Sequence, residues 1–64
     1  MIIVNLAQVR SIEDRPDKKV CIYYPDSSDA FPIPAADVHV FGPGEMLVRF
    51  WLAEIARGTT EETT

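Results

Sequence analysis

The fold is decided by residues 42–58, which read GPGEMLVRFWLAEIARG and predict one α-helix with both ends marked. We expect Gly42 to be the N-cap and Pro43 the first helical residue. Proline suits the first helical position because a backbone N–H there would have no acceptor within the helix, so its absence costs nothing. Glu45 suits the positive end of the helix dipole. Gly58 suits the left-handed conformation in which many helices end, so we expect the helix to stop there.

The predicted helix carries two apolar stripes when its residues are placed at steps of about 100°. The first stripe, which we expect to face the core, consists of Leu47, Val48, Trp51, Leu52 and Ile55. The second stripe, at spacings of 4, 3 and 4 residues, consists of Met46, Phe50, Ala53 and Arg57. Either the second stripe is the margin of a broad core-facing surface, or it contacts a second chain. We favour a second chain, because one small sheet cannot easily cover both stripes.

Residues 20–24 form the clearest predicted strand, since apolar side chains alternate onto both of its faces. We expect Val20, Ile22 and Tyr24 to share one face, with Cys21 and Tyr23 on the other, and the strand to lie centrally in its sheet. Residues 15–18, Arg-Pro-Asp-Lys, predict the preceding turn, because proline presets φ and aspartate can bond to its own backbone.

Residues 31–34, Phe-Pro-Ile-Pro, predict an edge strand, because the two prolines cannot donate ladder hydrogen bonds. Phe31 and Ile33 are expected to turn inward from it. Residues 35–41 should then run as a short extended piece into the helix.

The segment 2–14 permits two interpretations. Asn5, with Gln8 three residues on, can open a short helix. The β-branched start of the segment and the turn that follows it favour a continuous strand instead, which is the interpretation we prefer.

The predicted fold class is α+β, a small antiparallel β-meander of about three strands packed against one C-terminal α-helix and completed by dimerisation. Residues 1–58 should form a single domain, and residues 59–64 a disordered tail. A chain of 64 residues buries only about 60% of its unfolded surface, so its own core is marginal. The single cysteine excludes an intrachain disulfide, so oligomerisation or unusually good packing is expected to supply the missing stability.

Composition excludes several classes of function. The net charge of −4 at pH 7 argues against binding nucleic acid, although Arg10, Arg15, Lys18 and Lys19 are expected near one turn. No apolar run approaches the roughly 20 residues that span a bilayer, and the amino-terminal residues lack the basic region of a signal peptide. We expect no membrane association and a cytoplasmic location.

No catalytic, cofactor or metal site is predicted. His39 has no nucleophile partner in the sequence, and Cys21 lies mid-strand among apolar residues, which is typical of an inert buried thiol. Residues 26–29 lack the ligand spacing of a calcium loop, and residues 42–44 lack the lysine of a phosphate loop.

The sequence therefore favours a non-enzymatic small acidic protein-binding module, a homodimer with an accessory or inhibitory role toward a larger macromolecular partner. The alternative is a structural or regulatory subunit of a hetero-oligomeric assembly that docks through its C-terminal helix. Candidate interface residues are Met46, Phe50, Ala53, Arg57, Tyr23 and Phe31. Candidates for an acidic rim, if the two predicted turns meet in space, are Glu13, Asp14, Asp17, Asp26 and Asp29.

Overall fold

The computed structural model describes residues 1–58, and the predicted disordered tail, 59–64, lies outside the described residues. The regular elements are β1 (Ile2–Asn5), β2 (Ser11–Arg15), β3 (Lys19–Tyr23), β4 (Ile33–Pro34), β5 (Val38–Phe41) and α1 (Glu45–Arg57), with 3₁₀ turns at Leu6–Gln8 and Ala35–Asp37. Strands β2, β3 and β4 form an antiparallel sheet, while β1 and β5 form a separate parallel pair. The prediction of a small α+β fold, with three antiparallel strands and a C-terminal helix, is confirmed.

The hairpin β2–β3 forms around the predicted turn. Its register opposes Ile12 to Ile22, so both apolar side chains lie on the core face. In the turn, Asp17 and Lys18 have φ of 66° and 61°, a left-handed conformation that aspartate tolerates better than lysine. Strand β3 is central, as expected, with β2 on one side and β4 on the other.

The edge strand β4 is confirmed but has only two residues. Ile33 opposes Val20 and is half-buried, as predicted. Phe31 was expected to turn inward, and this is wrong: its side chain is 82% exposed, because the pairing with β3 begins only at Ile33. Tyr24 was expected to be the last residue of the central strand; β3 ends one residue earlier, at Tyr23, and Tyr24 is exposed.

The continuous strand preferred for residues 2–14 is wrong, because a 3₁₀ turn interrupts it. The side chain of Asn5 accepts a hydrogen bond from the backbone N–H of Ala7 at 3.0 Å and caps the turn Leu6–Gln8. Asparagine can bond to nearby backbone in this way and so competes with the strand ladder. The segment therefore contains one short helical turn, as the other interpretation expected, with a strand on each side of it.

Strand β1 pairs in parallel with β5, a contact that the sequence did not predict. The register places Ile2 opposite Val38 and Val4 opposite Val40. Parallel strands need a long crossover, and here the antiparallel sheet lies within it. The buried core is formed by Val4, Val20, Ile22, Ala35, Val38, Val40 and Leu52.

Helix α1 packs on β5 and on the 3₁₀ turn Ala35–Asp37, which precedes β5. Leu52 is the buried residue of α1. The half-buried residues Val48, Trp51, Ile55 and Ala56 complete its core face. Leu47 was assigned to that face, and this is wrong: it is 78% exposed. Five residues at 100° each place Leu47 about 140° from Leu52 around the helix, beyond the reach of the core.

The N-terminus of α1 differs from the prediction, whereas its C-terminus agrees with it. The N-cap is Gly44, not Gly42. The N–H of Glu45 donates to the carbonyl of Gly42 at 3.1 Å, and Gly44 has φ 76° and ψ 13°, as at the third position of a type II turn. Pro43 therefore lies in a turn before the helix. Gly58 is left-handed at φ 67°, and its N–H donates to the carbonyls of Glu54 and Ile55, as the Gly58 prediction requires.

Candidate functional site

The outward face of α1 carries the second stripe predicted from the sequence. We define the α1 outer stripe as the exposed residues Met46, Phe50, Ala53 and Arg57. The side chains of Met46 and Phe50 are 75% and 66% exposed, so the described part of the chain leaves them largely uncovered. Adjacent large apolar side chains on a surface mark interaction sites more often than isolated ones do.

Two ion pairs along the helix border the α1 outer stripe. Arg49 donates to the carboxylate of Glu45, four residues earlier. Arg57 donates from Nη2 to Oε2 of Glu54 at 2.9 Å, three residues earlier. Both pairs are solvent-exposed and contribute little to stability. The Arg49–Glu45 pair therefore lies beside the stripe, and the Arg57–Glu54 pair occupies the C-terminal end of the stripe.

Apolar surface continues from the stripe around one flank of the helix. Leu47, which is one turn before Trp51, is exposed between that residue and Phe50. Beyond Trp51 lies an open groove of about 370 Å³ between α1 and the β1–β2 connection, lined by Leu6, Val9, Ser11, Ile12, Pro43, Val48 and Trp51. The α1 outer stripe, Leu47 and the groove therefore form one continuous apolar surface along this side of the helix.

A second apolar surface covers the outer face of the β1–β5 pair. Ile3 opposes His39 in the register, and Phe41 follows two residues later on the same face. Ile3 and Phe41 are 66% and 46% exposed, and His39 is exposed between apolar neighbours. By strand alternation this face is opposite to the one that carries Val38 and Val40, the buried residues of β5. His39 also lines a groove of about 300 Å³ with Arg49 and Ala53 of α1.

Sequence reasoning missed this second surface. Its signal was the uninterrupted run Ile2–Val4, which supplies apolar side chains to both faces of a strand. A two-stranded sheet covered by a helix on one face leaves the other face bare. Recognition of the surface therefore required the pairing of β1 with β5.

Tyr23 lies in a polar cluster on the outer face of the β2–β3 hairpin. Its hydroxyl donates to Oε1 of Glu13 at 3.2 Å, and the same oxygen is 3.4 Å from Nη1 of Arg15. The guanidinium carbon of Arg10 is 5.6 Å from the centroid of the Tyr23 ring, within cation–π range. Desolvation raises the pKa of Tyr23, and the hydrogen bond and negative charge of Glu13 raise it further. The Tyr23 hydroxyl, a candidate interface anchor, thus has a partner within its own chain.

The structure separates the charged residues that were expected to cluster. The turn that holds Asp17 and the loop that holds Asp26 and Asp29 lie at opposite ends of β3. A strand of this length spans roughly 13–17 Å. The two predicted turns therefore do not meet, and a role for these carboxylates in binding a partner stays a prediction.

The remaining two acidic candidates lie on β2. Glu13 belongs to the polar cluster with Tyr23, whereas Asp14 opposes Val20 near the hairpin turn. Of the basic residues expected near one turn, Arg15 and Lys19 oppose each other at the hairpin turn that contains Lys18, so only Arg10 is separated from the group. Arg10 lies at the open end of the hairpin, where its N–H donates to the carbonyl of Tyr23, while Lys18 lies in the turn at the other end.

Groups suited to catalysis do not converge in the described residues. Cys21 is a buried free thiol on β3, whereas His39 is exposed on β5, in the other sheet. Within residues 1–58, no cluster of three His, Cys, Asp or Glu side chains could hold a metal ion. A groove of about 560 Å³ lies between the hairpin turn and the C-terminal end of α1 and is lined by charges of both signs from Asp14, Arg15, Asp17, Lys18 and Glu54.

Fold and surface together define a small α+β protein whose helix presents an apolar outer face. Comparison of the chain with models of protein families, with curated proteins and with solved structures finds no match. In the described part of the chain, no helix has the length and apolar character needed to cross a membrane.

Proposed function

We propose that this protein is a non-enzymatic binding module that forms a homodimer through the α1 outer stripe and acts on a larger macromolecular partner in an accessory or inhibitory role. The observation that carries this proposal is the exposure of Met46 and Phe50, at 75% and 66%, side by side on one helix face. Covering both side chains in each of two copies removes apolar surface from water, which is the main driving force of association.

The modest core supports the need for a partner. Among residues 1–58, the largest side chains that are fully buried are two valines, Val4 and Val20. Trp51, the largest side chain on the helix, is only half-buried. Small cores of this kind leave folding marginal, and association is one of the few ways to add stability without disulfides or metal.

A binding role, with no enzymatic activity and no cofactor, agrees with the side chains that are present. A catalytic site needs a nucleophile or base with an orienting partner. Cys21 and His39 do not form such a pair, because they lie in different sheets. The free buried thiol agrees with a reducing location such as the cytoplasm. The net charge of −4, with Arg15 bonded to Glu13, favours a protein partner over nucleic acid.

The first test is the mass of the purified chain in solution as a function of concentration, measured by sedimentation equilibrium. The proposal expects a dimer that dissociates in the variant Phe50→Asp. The matched control is Phe41→Asp, which introduces the same charge on the outer face of the β1–β5 pair. A chain that is monomeric at all concentrations, or a dimer that only Phe41→Asp dissociates, refutes the role of the stripe.

A second candidate function is a subunit of a hetero-oligomeric assembly that docks on a different protein through α1. The observation that favours it is the apolar groove of about 370 Å³ beside Trp51, which could receive a side chain of a partner. The two functions are distinguished by the same measurement: a stable dimer supports the first, and an aggregating chain that one partner converts to a defined complex supports the second.

A further inference from the structure

The residues of the α1 outer stripe are spaced like the seam of a coiled coil. Met46, Phe50, Ala53 and Arg57 follow one another at intervals of 4, 3 and 4 residues, the alternation of a and d positions in a heptad. At 100° per residue they lie within about 60° of one another around the helix. Such a seam packs along a second helix, so the most direct partner for α1 is another α1.

We propose that the two α1 helices of the dimer pack antiparallel about a two-fold axis between Phe50 and Ala53, so that the Phe50 ring of each protomer covers the partner's Ala53. This inference rests on the proposed homodimer and adds its geometry. In an antiparallel pair, residues at equal distances on either side of the two-fold axis face each other. An axis midway between Phe50 and Ala53 is also midway between Met46 and Arg57, so one axis pairs all four residues of the stripe. Each large side chain then faces a small or flexible one.

Size complementarity supports this register. In the antiparallel pair, Phe50 fills the space above a methyl group, and Met46 lies along the aliphatic stem of the partner's Arg57. The Arg57 guanidinium already bonds Glu54 at 2.9 Å, so its charged head stays at the rim while its stem remains available. A parallel pair would instead oppose Phe50 to Phe50 and leave a gap between the two Ala53 methyl groups.

Charge supports the same orientation. A parallel pair brings the two Arg57 side chains together and aligns the helix dipoles unfavourably. In the antiparallel pair the two Arg57 residues are about 16 Å apart along the axis, at 1.5 Å per residue, which exceeds the screening length near physiological salt.

The outer face of the β1–β5 pair is the other surface on which a second copy could dock. Ile3 and Phe41 are exposed there, and among residues 1–58 no strand pairs with the outer edge of β1. We place the contact on α1 because its two large apolar side chains, Met46 and Phe50, are 75% and 66% exposed, against 66% and 46% for Ile3 and Phe41.

A size exchange tests the register directly. The variants are Phe50→Ala, Ala53→Phe and the double exchange, and the measurement is the dissociation constant of the dimer by sedimentation equilibrium. We expect each single variant to weaken the dimer about tenfold or more, the first by leaving a gap and the second by opposing two rings. The double exchange should return to within about threefold of the original, because ring and methyl face each other again.

Helix content, measured by circular dichroism, is the control for folding, since both positions are exposed in the single chain. Losses that simply add in the double exchange overturn the antiparallel register. A dimer that Ile3→Asp dissociates, while all three size variants leave it intact, places the contact on the β1–β5 face and overturns the proposal as well.

Disulfide trapping separates failure of the register from failure of the dimer. Copies carrying Phe50→Cys are mixed with copies carrying Ala53→Cys, both in a Cys21→Ala background. The antiparallel register expects mixed disulfides between the two kinds of copy, because residue 50 of one copy lies directly opposite residue 53 of the other. A stable dimer that yields only links between copies carrying Phe50→Cys refutes the register but keeps the homodimer. A monomer at all concentrations refutes both.

Discussion

The substitution Phe50→Asp tests the proposed interface with a magnitude that the structure supplies. Burying a whole phenylalanine side chain contributes about 1.5–3 kcal/mol. Since 66% of the Phe50 side chain is exposed in the single chain, covering it in the dimer contributes roughly 1–2 kcal/mol per protomer. The two-fold axis doubles this to about 2–4 kcal/mol, or roughly a 30- to 1000-fold weaker dimer when both rings are lost.

The charge of aspartate adds to that loss, because an unpaired carboxylate must be removed from water at the contact. The folded single chain should tolerate the change, since Phe50 lies outside the buried core and aspartate and phenylalanine have similar helix propensities. We therefore expect circular dichroism to show an unchanged fold, while sedimentation equilibrium shows a dissociation constant raised at least about 30-fold.

The refuting result is equally definite. A folded Phe50→Asp protein with the dissociation constant of the original chain shows that the ring contributes nothing to association. Phe41→Asp serves as the reference for nonspecific effects of a new charge, because Phe41 is also exposed but lies on β5, outside the stripe. Equal weakening by both variants would show that net charge, and not the stripe, controls the dimer.

Three further predictions concern the fold. Leu52→Ala should cost about 2–5 kcal/mol in urea unfolding, because Leu52 is buried in the core, whereas Leu47→Ala, at an exposed position, should cost the folded single chain under about 1 kcal/mol. Gly42→Ala should lower the unfolding midpoint, because φ is 107° and the added Cβ would lie 3.2 Å from Oδ1 of Asn5. Glu13→Gln should lower the pKa of Tyr23 in a spectroscopic titration, because the carboxylate charge helps to raise it. Since that pKa is raised in the folded state, its contribution to stability is present below about pH 10 and is lost as the pH rises through the folded value, and an unchanged titration in the variant would contradict the assignment to Glu13.

Local features of the fold could be predicted from neighbouring residues. The end of α1 at Gly58, the hairpin turn around Asp17 and the central strand β3 each depend on groups only a few positions apart. A left-handed glycine closes the helix through bonds from its own N–H to carbonyls three and four residues earlier. Such interactions require no knowledge of the rest of the chain.

The start of α1 shows the limit of this local reasoning. Glycine, proline and glycine permit either a helix that begins at Pro43 or a type II turn before it. The turn forms in the tertiary structure, where Gly42 lies against Asn5. A Cβ at Gly42 would crowd Asn5 and the backbone that follows it, so this position requires glycine. A contact between residues so far apart in sequence is invisible in the motif alone.

The candidate site divides in the same way. Periodicity alone was enough to separate Met46, Phe50, Ala53 and Arg57 from the rest of the helix, and all four are exposed. Periodicity did not decide how α1 is rotated against the core, so Leu47 was placed on the wrong face. That rotation is set by the packing of Leu52 in one cluster with Val38 and Val40, which depends on where β5 lies.

The parallel pairing of β1 with β5, and the apolar outer face it creates, belong entirely to the tertiary structure. So does the separation of Asp17 from Asp26, which follows from their positions at opposite ends of β3. Sequence alone specifies turns, caps and periodicity, because these arise from hydrogen bonds and sterics over a few residues. Pairing and orientation arise from the burial of surfaces contributed by distant segments, so they exist only once those segments have come together.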